Sequence, residues 1–408
     1  MSVEFDEPKR DLGQSNVLEL ACEPLENVRI AFVGLGKRGK EAIQNFFYFE
    51  NVEIVAICDL VSENIALVQE LFNHHYKKCA DVYTQPDDWR NVCKRPDVDL
   101  VYVCTDRTLH TPIAVYAMQQ GKHVAVEVPA ANTLEECWLL VDTAEKCRRH
   151  CMMLENCCYD ATTMAVLNMT KQGLLGEIFH AEGGYIHDLK QINFDQRDHY
   201  LDFWSMQGNP YPTHGLGPLC QLLDIHRGDK LEWLTSVSGG QFNFPVSDDS
   251  DFRKECTLGN MNTTIVRTKK AKTIVLQHDI SSPRPYSRNY LVSGTKGFVQ
   301  QRETPRFAIL PDTNEYLSEQ ATENLLKQYE HPFFKETGEL ARRVGTHGGM
   351  NFIMDYRLVY CLKNGLPLDM DVYDAAEWSA VIELSAQSVT NNSIPVRFPD
   401  FTRGSTQK

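Results

Sequence analysis

The sequence predicts an α/β chain in two parts: an N-terminal doubly wound parallel sheet, then an α+β part with a large, mostly antiparallel open sheet. Three observations predict it. Short apolar runs rich in β-branched residues alternate with helical patterns from Val28 to Glu155. Near residue 156 the pattern changes to alternating runs separated by Gly, Pro, Ser and Asn. A length of 408 residues also exceeds what one ordinary core supports. The expected division is an arm over 1–27, a first unit over 28–155, and a second over 156–408 with late helices packing back.

The first strand is expected from Val28 to Val33. Gly34, Gly36 and Gly39 then give G-x-G-x-x-G where a helix begins. In that pattern the first glycine allows a tight turn, the second admits a pyrophosphate, and the third lets helix and strand pack closely. Unpaired amides at the helix start suit a phosphate. A second strand, Val52 to Cys58, ends in Asp59, placed where a carboxylate holds the ribose 2′-OH of NAD. Glycines alone also serve packing, but strand, glycines, helix, strand and acid in order predict a Rossmann dinucleotide site. Asp59 would repel a 2′-phosphate, so NAD is expected over NADP. Lys37 and Arg38, inside the loop with Leu35, soften that preference.

The rhythm continues with a helix capped by Ser62 and another starting at Pro86 to Trp89. Asp99 to Cys104 is a buried strand, and Thr105 to His110 leads into a helix opened by Pro112. Lys122 to Glu127 is the next strand. Thr133 and Glu136 have capping-box spacing for a helix reaching about Arg149. A short strand, Cys151 to Leu154, ends at Glu155 and Asn156. Beyond it come a helix near Ala161 and strands at 178–186, 231–241, 260–266, 272–280, 288–293 and 297–301. Helices at about 346–363 and 371–388 follow, the last capped by Asp371.

Composition is that of a soluble globular protein, 42% hydrophobic and 24% charged. A net charge of −14 argues against nucleic acid or an anionic membrane as partner. No apolar run approaches the ~18 residues of a membrane helix. Thirteen cysteines, an odd number without a Cys-x-x-Cys pair, signal reduced thiols and no metal. Residues 1–27 lack the basic and apolar regions of a signal peptide. The cytoplasm is therefore expected for the chain as written, and the periplasm if a leader precedes it. The arm is expected on the body or on a neighbouring subunit of a homo-oligomer.

Several motifs carry a resemblance. VGLGKRG, VCTDRTLHTPIA and GKHVAVEVPAA look like the Gfo/Idh/MocA oxidoreductase family. Many of its sugar dehydrogenases have Glu-Lys-Pro where this chain has Glu127-Val128-Pro129, and valine cannot move a proton. MMLENCCYDATTMAVLNM, GGYIHDL, GNPYPTHGLGP, SSPRPYSRNYLVSGTKG and DMDVYDAAEWSAV resemble glycoside hydrolase family 109. The similarity runs from about Val28 to Arg403.

That resemblance implies an NAD-dependent glycosidase acting on terminal α-linked N-acetylgalactosamine, one of the exceptions to the two-carboxylate scheme. The sugar is oxidised at C3, loses the C2 proton and the aglycone, takes up water and is reduced again. NAD ends as it began. His214, in Tyr211-Pro212-Thr213-His214, is the leading acceptor for the O3 proton. A helix start would favour its neutral form; a capping or core histidine is the plainer reading. Tyr185 is the candidate C2 base, and otherwise an ordinary strand aromatic. Tyr185, Tyr211, Thr213, His214 and Tyr286 match sugar contacts, with Tyr290 close enough to confuse the last.

Thr105, His110, Glu127, Val128 and Asn156 join the glycine loop and Asp59 as cofactor contacts. Glu155 matches a sugar-facing or supporting acid and equally suits a buried partner for a basic group. His347 lines the cleft or caps a helix. Family members carry a substrate arginine after a tryptophan; here Ser205 follows Trp204, and Arg197 is the candidate replacement. The alternatives are an NAD-dependent sugar or inositol dehydrogenase and a non-catalytic sugar or dinucleotide sensor.

Overall fold

Six parallel strands form the first sheet: β1 (Val28–Val33), β2 (Val52–Cys58), β3 (Asp81–Tyr83), β4 (Leu100–Val103), β5 (His123–Val126) and β6 (Cys151–Met153). Their order is β3-β2-β1-β4-β5-β6, and every neighbouring pair is parallel. The strands β4, β5 and β6 are buried at every position, as a sheet covered on both faces requires. The connecting helices are α1 (Lys37–Phe46), α2 (Ser62–His74), α3 (Asp88–Lys94), α4 (His110–Gln119) and α5 (Leu134–Cys147). Strand order reverses between β1 and β4, so the crevice for a ligand opens beyond their carboxyl ends. This is a computed structural model, and it describes residues 2–75, 77–190, 203–243, 256–312 and 314–405.

Two capping expectations change. Ser62 is the first helical residue of α2 and caps nothing; Val61 precedes it, its amide bonded to Asp59. Thr133 does accept the Glu136 amide, but the Glu136 carboxylate reaches back to the Asn132 amide instead of that of Thr133. Only half of the box therefore forms.

The second sheet contains β7 (Ile178–Ile186), β8 (Leu231–Ser238), β9 (Asn262–Thr268), β10 (Thr273–Asp279), β11 (Tyr290–Gly294), β12 (Gly297–Gln301), β13 (Pro305–Ile309) and β14 (Val396–Arg397). Its order is β13-β12-β11-β7-β10-β9-β8-β14. All neighbours are antiparallel except β7 and β10, which run parallel and set His278 beside Tyr185. The remaining helices are α6 (Ala161–Lys171), α7 (Thr213–Leu222), α8 (Glu319–Gln328), α9 (Pro332–Val344), α10 (Met350–Asn364) and α11 (Val372–Thr390). Asp371 caps α11 with a complete capping box, and α11 packs on α5, β6 and β8, joining the two sheets. Strands β3, β13 and β14 and helices α8 and α9 lie beyond what the sequence pattern signals.

The arm lies along the body. Val3 bridges Val396. Further on, Arg10 donates twice to the fully buried Glu145 of α5, at 2.9 and 3.0 Å. Arg403 and Tyr373 donate to the same carboxylate at 2.8 and 2.6 Å. One acid thus ties together the arm, α5, α11 and the C-terminal stretch. All thirteen cysteines are unpaired, and no helix among the described residues is long and apolar enough to cross a membrane.

Candidate active site

The glycine loop is shaped as a dinucleotide requires. Gly34 has φ +93°, and a Cβ there would meet the Cys104 carbonyl at 2.4 Å. A Cβ on Gly39 would meet the Gly34 carbonyl oxygen at 2.2 Å, so helix and strand touch through backbone. At Gly36 nothing lies within 4 Å of the Cβ position, which leaves open space at the start of α1. No side chain caps α1, and its first turn carries no acid. These features fit a bound pyrophosphate. Asp59 sits at the end of β2, its Oδ2 accepting the Leu35 amide at 2.5 Å. Replacing Asp59 by alanine is expected to weaken NAD binding by about 1.5–3 kcal/mol, roughly 10–150-fold, the value of hydrogen bonds to a charged group. Titration calorimetry of cofactor-free protein checks this.

Other cofactor candidates take more specific places. Lys37 is exposed beside the loop. The Arg38 guanidinium pairs with Glu127 and Glu41, at 2.9 and 3.0 Å. It is thus committed to carboxylates and does not soften the preference for NAD. Glu127 and the half-buried Val128 follow β5 at the crevice. His110 is buried, its ring nitrogens 2.8 Å from the Pro129 carbonyl and 3.0 Å from that of Thr105. Its place is that of a brace between two strand-end loops. Thr105 is half-buried on one of them. Asn156 is buried and donates to Asn351, which donates to Thr346 and His347. The exposed His347 is therefore an acceptor in a polar chain at the start of α10.

The cluster across the crevice is built on close backbone contact. A Cβ on Gly183 of β7 would meet the Gly215 carbonyl oxygen at 2.2 Å, and one on Gly215 would meet the Gly184 amide nitrogen at 2.5 Å. Nothing but glycine fits this seam, which sets Tyr185 beside His214 at 5.6 Å between ring centroids. Tyr211 packs 4.8 Å from Tyr185 and 4.9 Å from His214. Tyr286 stands 6.2 Å from Tyr185 and is exposed. Thr213 is fully buried, whereas Tyr290 is buried in β11 and does not share the exposed position of Tyr286. Arg197 lies outside the described residues. Gly215→Ala should misplace His214 by forcing α7 off β7. Loss of activity with NAD affinity retained, measured on the same preparation, is the expected result.

His214 and Glu155 form the electrostatic centre. The His214 Nδ1 lies 2.8 and 2.9 Å from the two oxygens of the fully buried Glu155. Its Nε2 is 3.5 Å from the Tyr211 hydroxyl. Burial alone would raise the Glu155 carboxyl, but the His214 charge, with the Thr213 hydroxyl and Cys157 amide, holds it below its ordinary range. Burial alone would lower His214; its contacts with the Cys157 sulfur and the Glu155 carboxylate outweigh it and lift the imidazole to about 10. The expectation of a neutral imidazole is therefore corrected. A helix start is worth at most about 2 kcal/mol, and a buried carboxylate in contact outweighs it.

The folded His214 value lies above the ordinary 6.5, so its contribution to stability is complete below 6.5 and is lost as pH rises through about 10, whereas that of Glu155, held below its ordinary 4.5, is lost as pH falls below that range. Glu155→Gln should lower the His214 value, read from its imidazole proton resonances.

Sequence reasoning missed three neighbours. Cys157 is fully buried beside Glu155 and His214. Arg288 pairs with Asp160 at 3.0 Å, two residues beyond Tyr286. Asn351 holds Asn156. Only the two-residue spacing from Glu155 and Tyr286 hinted at the first two.

A family model described as an oxidoreductase family, NAD-binding Rossmann fold, matches residues 28–155. One described as glycosyl hydrolase 109, C-terminal domain, matches 159–206 and 197–408. The chain is 51% identical over 411 residues to an alpha-N-acetylgalactosaminidase of Bacteroides fragilis, covering 97% of each. It is 49% identical over 408 residues to a glycosyl hydrolase family 109 protein of Phocaeicola vulgatus, covering 96% of this chain and 99% of the relative.

Among solved structures, levoglucosan dehydrogenase with NADH and levoglucosan has TM-score 0.70 at 18% identity, covering 92% of this chain and 100% of that one. The scyllo-inositol dehydrogenase from Lactobacillus casei with bound NAD(H) and scyllo-inositol has TM-score 0.67 at 13%, covering 91% and 99%. At such identities the likeness is one of fold. By sequence, the chain belongs to glycosyl hydrolase family 109 and is a glycosidase with an NAD-binding Rossmann domain.

Proposed function

We propose that the chain removes terminal α-linked N-acetylgalactosamine from glycans by transient oxidation at C3 of the sugar. The observation that carries this reading is the Glu155-held His214 among Tyr185, Tyr211 and Tyr286, in a chain whose Val128 cannot move a proton. The α-N-acetylgalactosaminidase relative supports the choice of sugar. Bound NAD supplies reversible oxidation of the C3 alcohol and is restored within each turnover.

The chain's own residues handle the protons and hold the sugar. Glu155 fixes the His214 ring through Nδ1; in the fraction of the protein whose imidazole is neutral, Nε2 takes the O3 proton and later returns it. An imidazole with a raised pKa retains that proton while the sugar is a ketone. Tyr185 takes the C2 proton, made acidic by the adjacent carbonyl. Tyr211 and Tyr286 wall the sugar, and the glycine loop, Asp59, Glu127 and Asn156 enclose the dinucleotide. Because cofactor loss midway would strand an oxidised sugar, NAD is expected to co-purify with the protein.

A panel of nitrophenyl glycosides, assayed in deuterated water without added metal, tests the proposal. Release of nitrophenol from the α-GalNAc compound, deuterium at C2 and no net NADH are expected. Cleavage with C2 unexchanged would exclude elimination. Stoichiometric NADH from free sugars would make the protein a dehydrogenase.

A further inference from the structure

We infer that Glu155, Cys157 and His214 form a binding site for a thiophilic divalent cation, with zinc as the candidate, and that its occupation blocks the His214 imidazole. Each residue offers one ligand atom, and the three atoms lie within 4.8 Å of one another. Among the described residues no other group of three such side chains converges in this way. The ligand spacing is invisible in the sequence because 59 residues separate Glu155 from His214.

The donor set selects the metal. A thiolate, an imidazole nitrogen and a carboxylate oxygen are ligands of zinc, whereas magnesium and calcium prefer oxygen alone. Zinc bonds of about 2.0–2.3 Å to these atoms place tetrahedral ligands roughly 3.3–3.8 Å apart. No separation exceeds 4.8 Å, so the site closes with at most about 1–1.5 Å of side-chain movement. Three protein ligands would leave a fourth position open.

The surrounding chain is already ordered for this. Glu155 caps the short turn that contains Cys157, whose amide donates to the Glu155 carboxylate at 3.0 Å. The position of Gly217 presses against the Glu155 side chain, where a Cβ would lie 2.9 Å from its Cγ. His214 enters from the first turn of α7, fixed by the Gly183–Gly215 seam, and its side chain keeps 14% exposure as a route in. The cation would take the place of the proton that Nδ1 shares with Glu155. With Nδ1 on the cation, the neutral ring keeps its proton on Nε2, which then cannot accept one from O3.

The test uses the NAD-loaded protein in a buffer that does not chelate metals. One equivalent of cobalt(II) should give a near-ultraviolet thiolate-to-cobalt band, and zinc should displace it. Zinc should inhibit the glycosidase at micromolar concentration, with full recovery on adding EDTA. In Cys157→Ala, or in Cys157→Ser if alanine impairs folding, the band should vanish. Half-inhibition there should need at least about tenfold more zinc, relative to the variant's own metal-free rate. Absence of the band in the wild-type protein, unchanged zinc sensitivity in the variants, or inhibition that EDTA does not reverse would each overturn the site. The cobalt spectrum reads binding alone, so a failed glycoside assay and a failed metal site are told apart.

Discussion

Replacing His214 by alanine is expected to lower turnover about 10²–10⁴-fold, the usual contribution of a general base, while NAD stays bound. The two effects separate because the cofactor elements (the glycine loop, Asp59 and Glu127) lie on the first sheet, whereas His214 opens α7. The substitution also strands the fully buried Glu155, which loses its charged partner. A fall in thermal stability should therefore accompany the loss of rate. His214→Gln keeps a donor for the carboxylate without a titrating group; it should recover stability and leave the enzyme inactive. Single-turnover assays on NAD-saturated protein, paired with melting curves, distinguish these outcomes. An active alanine variant would remove His214 from the chemistry.

The largest expected effect on stability comes from Glu145→Ala. The Glu145 carboxylate has no exposure and receives Arg10, Arg403 and Tyr373. Removing one partner of a buried ion pair typically costs about 3–5 kcal/mol, because the remaining charge is left uncompensated. Arg10 keeps 24% exposure and recovers some hydration, so the lower end, about 3 kcal/mol, is expected here. Arg403 is only 9% exposed; its other carboxylate partner is Asp142, so part of its pairing survives. Denaturant unfolding monitored by tryptophan fluorescence measures the loss, and faster proteolysis of residues 2–27 should accompany it.

The legible parts of the fold are those whose physics is local. The β1 run, its three glycines and Asp59 lie within one stretch, so turn chemistry and strand burial are written side by side. Helix α9 is hidden because its buried stripe is Phe334, Gly338 and Ala341, two of them small. Helix α8 buries only Thr322 and carries no apolar stripe. Strand β13 starts on a proline at a sheet edge, and β14 is two residues long. The site was legible as a set of residues through family motifs, but not as an arrangement. The protonation of His214 is the instructive case: a helix start was visible in the sequence, whereas the carboxylate that outweighs it comes from a distant turn. Parallel pairing of β7 with β10 is hidden for the same reason, since pairing direction is settled by the whole sheet.

The Glu145 tie also orders events during synthesis. Arg403 leaves the ribosome 258 residues after Glu145. When the first sheet and its helices are complete, their α5 carboxylate has Arg10 for company but lacks Arg403 and the Tyr373 hydroxyl. The nascent Rossmann half therefore waits, with an under-compensated acid on the face that α11 will cover. The carboxylate gains its full set of donors only when that helix and the C-terminal stretch are in place.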